Sequence, residues 1–114
     1  MAKFYTFSQN NSGGSFVINK DISEYVIIEA ENCSQANDIA VGIGIYFDGC
    51  NSGSDCSCCG DRWYEQWDEG DGKDVPMIYG TPLSEYKAWI FSKEYRIHYL
   101  DGRIEAGDIE KEER

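Results

Sequence analysis

Long apolar runs are missing from this sequence. No stretch approaches the roughly 20 consecutive apolar residues that a helix needs to cross a bilayer, so no membrane span is expected. The opening MAKFYTFSQNN lacks the apolar core of a secretory leader. No signal peptide is expected, and the setting is read as a cytoplasm. Positive charge is scarce as well: 10 Lys and Arg stand against 21 Asp and Glu, a formal net charge of −11. Direct contact with DNA or RNA through phosphate neutralisation needs a basic surface and is disfavoured. Histidine occurs once, at His98. A Cys/His catalytic pair therefore requires His98 to pack beside a cysteine, and no acid/base pair stands out elsewhere. The residues read as a protein that binds, not as an enzyme. Repeats, a P-loop and a dinucleotide-binding fingerprint are also missing.

Aromatic residues are abundant: Phe, Trp and Tyr make up 14% of the 114 residues. Such side chains give a small core much buried area each, and their polar tips suit a partly exposed surface. A chain of this length holds one modest core, hence one domain. The acidity has two readings. It maintains solubility, or it meets a basic patch on a protein partner. Much of it lies in residues 68–74 and 105–113, both read as solvated segments.

KFYTFS, from Lys3 to Ser8, has the composition of a strand, and Phe16 to Ile18 resumes an extended pattern after a polar loop. A hairpin over residues 3–18 is expected. YVIIEA, from Tyr25 to Ala30, is apolar on both faces and reads as a central strand. Ser34 is a candidate N-cap, Ala36, Ile39, Ala40 and Ile43 repeat at helical spacing, and Gly42 and Gly44 end the helix. A second helix is expected from Thr81-Pro82, with Leu83, Tyr86, Trp89 and Ile90 inward. YRIHYL alternates: Tyr95, Ile97 and Tyr99 take one face, Arg96 and His98 the other. Asp101-Gly102 marks a hairpin turn before a short return strand from Arg103 to Ala106. The fold class is α+β: a small antiparallel sheet, one or two helices on one face, and an irregular cysteine-rich loop. Residues 1–107 form the domain and 108–114 an acidic flexible tail.

That loop carries four of the five cysteines, in CNSGSDCSCCG. Cys56 and Cys59 form a C-x-x-C followed by Gly60, the form of a zinc knuckle, and Cys50 can swing round as a third ligand. The fourth is Cys58, His98 or Cys33. A zinc ion there would order residues 48–80, which show little regular pattern and would otherwise be a long unanchored loop. The alternative is a set of reduced thiols in a tight turn. Beside the cysteines, Arg62, Trp63, Tyr64 and Trp67 combine a guanidinium with aromatic rings. This is the composition of an interface anchor, or of a pocket for a flat anionic ligand. Ser8, Asn10, Asn11 and Gly13 lie in SQNNSGG, a loop able to present backbone N–H groups to an anion, or to serve as a plain connection.

Two stretches, FYTFSQNNSGGSF and GIYFDGC…DCSCCGDRWY, with IEA and IHYLDG elsewhere, resemble a family of short, functionally uncharacterised proteins of tailed bacteriophages. The resemblance implies a viral protein acting in the cytoplasm of an infected bacterium. It implies no activity, fold or ligand. Cys50, Cys56, Cys58 and Cys59 fall inside it, and Cys33 lies outside its most distinctive part. Two functions from different classes follow as expectations. One is an accessory protein that binds and modulates a host protein. The other is a sponge for a nucleotide signal of antiviral defence, with a virion-associated structural role as a further alternative.

Overall fold

The computed structural model describes residues 2–10, 16–53, 60–78, 80–86 and 93–109. Four strands form the main sheet: β1 (Lys3–Ser8), β2 (Tyr25–Ala30), β5 (Lys93–His98) and β6 (Ile104–Ile109), in the order β1-β2-β5-β6. A second sheet pairs β3 (Met77–Ile78) with β4 (Thr81–Pro82). Helix α1 spans Cys33–Gly42, and the four-residue α2 spans Gly49–Ser52. The domain is α+β.

Alternation along the strands sorts side chains between two cores. Tyr5 and Phe7 of β1 join Val26, Ile28 and Ala30 of β2 beneath α1, together with Ile45 and Trp63. Tyr25 and Ile27 turn the other way, with Ile97, Ile109 and Ile78, under the β3–β4 hairpin. β2 is buried on both faces because it is central, as its unbroken apolar run implies. Ala36 and Ala40 are fully buried, and their small side chains let α1 lie close to the sheet. The helix is capped by the Asn32 side chain, which accepts from the Gln35 N–H, so the cap falls two residues before Ser34.

Several local expectations give way to tertiary structure. β1 does not pair with residues 16–18; its antiparallel partner is β2, with Lys3 opposite Ala30 and Ser8 opposite Tyr25. The sheet is mixed, since β2 and β5 run parallel with Tyr25 beside Tyr95 and Ile27 beside Ile97. Thr81–Pro82 is a strand followed by a turn in which the Tyr86 N–H donates to the Pro82 carbonyl, not the start of a helix. Trp89 and Ile90 lie outside the described residues. The Asp101-Gly102 turn forms as expected, with the Gly102 N–H on the Tyr99 carbonyl. β6 then runs through Ile109, which is 3% exposed, so the folded part reaches beyond Gly107.

Candidate functional site

Residues 60–78 are held in place by polar side chains of the segments they cross. The Asn37 amide on α1 donates to the Gln66 carbonyl and accepts from the Gln66 N–H, copying a backbone pair. Gln66 Nε2 donates to the Thr6 carbonyl, and Thr6 Oγ1 donates to the Met77 carbonyl. Lys73 exchanges two backbone hydrogen bonds with Phe4, which closes the outer edge of β1. Lys3 is ion-paired with Asp74. Order in this stretch comes from these bonds and from Trp63, whose indole is 1% exposed in the core beneath α1. The acidic run is therefore only partly a solvated segment. Asp68 caps a 3-10 turn at Glu69–Asp71.

Glu69 sits at the centre of this docking. Its carboxylate accepts from the Cys33 N–H, from Cys33 Sγ at 3.0 Å and from the Tyr5 hydroxyl at 2.9 Å. An acid from a distant loop thus satisfies a first-turn donor of α1. The bonds from Cys33 and then Tyr5 hold the Glu69 carboxyl below the usual carboxylate range. In return, the bond to Glu69 pushes the Cys33 thiol up. Burial, then Glu69, pushes the Tyr5 phenol up to about 12.

Of the metal-ligand candidates, Cys56, Cys58 and Cys59 lie outside the described residues. Cys50 begins near the start of α2, its N–H bonded to Asp61 Oδ1. Cys33 is engaged with Glu69, and His98 is buried with Nε2 2.7 Å from the Asp21 carbonyl. Among the described residues no three His, Cys, Asp or Glu side chains converge as a metal-binding group. His98 and Arg96 instead grip the 19–21 turn, Arg96 donating to the Asn19 carbonyl.

The binding candidates separate by depth. Arg62 is buried, donating from Nη1 to Gln9 Oε1 at 2.8 Å and from Nε to the Tyr46 hydroxyl. Gln9 uses its remaining capacity on Val17 and the Ser23 carbonyl, so Arg62 is a tie between segments. Trp63 is likewise a core residue, 1% exposed, and reaches the surface only at the floor of the hollow beside Tyr64 and Trp67. Asn10 binds the Asp61 and Arg62 carbonyls, Ser8 ends β1 beside a shallow pocket with Gln66 and Lys73, and Asn11 and Gly13 lie outside the described residues. Tyr64 and Trp67 remain outward, 58% and 79% exposed. They border a hollow of about 280 Å³ with Phe47, Asp48, Asp61 and Glu65. Asp48 sits there in the left-handed region at φ 59°.

A second, larger hollow of about 660 Å³ lies on the opposite sheet face, between the β3–β4 hairpin and β5–β6. Tyr86, Tyr95 and Tyr99 line it, with Glu105 at its edge. Residue types alone do not join these positions. The signal was in the Asp101-Gly102 turn, since counting back across it sets Glu105 opposite Ile97 and between the two tyrosines.

Residues 2–112 match the family described as Domain of unknown function (DUF7296). The chain belongs to this family. The family description assigns no chemistry to either hollow. No curated protein and no solved structure matches the chain. Among the described residues no helix is long and apolar enough to cross a membrane.

Proposed function

We propose that this family member is a binding protein that attaches to a protein of a bacterial host, in the host cytoplasm, through the face built by Tyr64 and Trp67, and modulates it. The observation that carries the reading is an indole 79% exposed beside a hollow edged by Asp48, Asp61 and Glu65. Exposed Trp and Tyr are the usual anchors of interfaces, and a carboxylate border favours a basic partner surface. The same border works against a nucleotide anion, and Arg62 is occupied by Gln9 and Tyr46. Phage origin and host setting rest on the resemblance of FYTFSQNNSGGSF and DCSCCGDRWY alone.

The test compares the chain with its Trp67→Ala variant as bait in lysate of a host bacterium. The expected result is a stoichiometric host protein with the native chain, bound at least tenfold more weakly by the variant. Equal capture by both, or no stoichiometric protein, overturns the reading. A zinc ion held by Cys50, Cys56, Cys58 and Cys59 is a separate proposal resting on the C-x-x-C spacing. Elemental analysis with a thiol count tests it: one zinc per chain supports it, and no metal with five free thiols defeats it.

A further inference from the structure

We infer that the groove between the β3–β4 hairpin and β5–β6 is a second binding site, which takes an arginine or lysine side chain from an extended basic segment of a protein partner. The stem of that side chain lies against tyrosine rings, and its charge meets Glu105. This site is on the other face of the sheet from the surface around Trp67 and does not depend on it.

The groove is prepared for a cation. Ile97 and Ile109 are buried at its base, and Tyr86, Tyr95 and Tyr99 supply rings along it. Both oxygens of Glu105 are held, Oε2 by the Tyr95 hydroxyl at 3.3 Å and Oε1 by the Tyr99 hydroxyl at 3.0 Å. The carboxylate is thus fixed, and its charge is directed by neutral donors. Among the described residues Glu105 forms no ion pair. Burial, together with Glu105, pushes both phenols up, so they remain protonated donors across the physiological range.

Two further observations support the choice of occupant. The Arg103 guanidinium of this chain lies 4.4 Å from the centroid of the Tyr99 ring, so the same tyrosine already receives a cation from within the fold. That guanidinium is paired with Asp101 at 2.8 Å, and among the described residues no cation is ion-paired with Glu105. Across from Tyr95 stands Gly107, and a Cβ there would lie 2.5 Å from Tyr95 Oη and 2.6 Å from Cζ. The missing side chain lets the Tyr95 ring lie down on β6, and this brings its hydroxyl to Glu105. Among the described residues β6 is also the end strand of the sheet, so an extended peptide can run beside it while one side chain enters the groove. An anionic ligand meets repulsion here, and a purely apolar one leaves Glu105 without a counter-charge.

The test uses the whole chain and a capped Gly-Arg-Gly-Arg peptide, followed by amide chemical shifts, with a Gly-Glu-Gly-Glu peptide for comparison. The expected result is saturable change at residues 95–99 and 105–109 with the arginine peptide only. Glu105→Gln removes the charge, keeps one hydroxyl as a donor to its amide oxygen and lets its NH2 donate to the other, and is expected to weaken binding at least fivefold. Gly107→Ala displaces Tyr95 without changing charge and is expected to do the same. Asp38→Asn, on the exposed side of α1, and Trp67→Ala are expected to leave it unchanged. If Asp38→Asn costs as much as Glu105→Gln, the attraction is only that of an acidic protein for a cation, and the site is refuted. Shifts confined to the Trp67 face refute it too. Groove signals that move with protein concentration alone assign the groove to a second copy of this chain and equally overturn the inference.

Discussion

Replacing Gly72 by alanine tests whether the long loop is fixed by contact with β1. Gly72 has φ −72° and ψ 132°, a conformation that alanine adopts freely. On backbone grounds alone the change should stabilise the protein by about 0.4–1 kcal/mol, through a less flexible unfolded chain. Sterically the added Cβ would stand 2.7 Å from Tyr5 Cζ, 2.8 Å from Lys3 Cβ and 2.9 Å from Tyr5 Oη. Carbon atoms settle at about 3.5–4 Å, so the loop and strand must part by roughly 0.8 Å or more. Tyr5 has no room to yield, being 1% exposed and bonded to Glu69. Overpacking of this kind costs about 1–3 kcal/mol. Weakening the two Phe4–Lys73 backbone bonds, 2.8 and 2.9 Å long, adds about 1 kcal/mol each if both are lost. The balance is a loss of about 2–3 kcal/mol, seen as a melting point roughly 8–12 °C lower for a domain of this size. Urea unfolding followed by tryptophan fluorescence measures it. Gly42→Ala is the control: nothing lies within 4 Å of its Cβ position at the end of α1, and the same chemical change there is expected to be neutral or stabilising by up to about 1 kcal/mol. If Gly72→Ala matched Gly42→Ala, the loop would not be clamped on β1 and the account of its order would fail.

Glu69→Gln is expected to lower the Cys33 thiol toward its ordinary range and to speed its alkylation, read by peptide mass mapping; an unchanged rate would remove Glu69 as the cause. Because the folded-state Glu69 carboxyl lies below its unfolded value, its contribution is present at neutral pH and lost as pH falls through the folded value. The stability gap between the native chain and Glu69→Gln should therefore close in acid, and a gap that widens there contradicts the sign. Tyr5 behaves conversely: its raised phenol favours the fold up to the ordinary tyrosine range, and that support declines as pH climbs toward about 12. Phenolate absorbance should show a late-titrating group that Tyr5→Phe removes. Asn37→Ala removes both bonds to Gln66 and is expected to cost about 1–2 kcal/mol in denaturant unfolding, against less than about 0.5 kcal/mol for the exposed Trp67→Ala.

What could be read in the sequence was what local pattern controls. β1 and β2 fall where aromatic and apolar runs put them, because period-two alternation and a run buried on both faces each have one economical solution. The Asp101-Gly102 turn is local chemistry and formed where expected. The partner of β1 was not legible, since pairing with residues 16–18 and pairing with β2 satisfy the same alternation, and only the whole sheet decides between them. Thr81-Pro82 carries a helix-start signal, yet its backbone is recruited to pair with Met77–Ile78. At the site, exposure separated residues that composition had grouped. Trp63 and Arg62 went inward, and Tyr64 and Trp67 stayed out. Glu69 was hidden in a run of acids, because nothing local reveals that a carboxylate will meet Tyr5 and the first turn of α1 across 64 and 36 positions of chain.

The parallel pairing of β2 with β5 joins Tyr25 to Tyr95, and this shapes how the polypeptide reaches its native state. The most water-averse strand leaves the ribosome well before β5, with one flank already served by β1 and the other waiting for nearly seventy more residues. Contacts so distant along the chain form slowly, and a nascent fragment that stops short of β5 carries an open, greasy flank for as long as translation or release is delayed. Shortened versions ending before residue 98 should accordingly accumulate as insoluble material, and any attempt to express the first half alone will need a substitute strand.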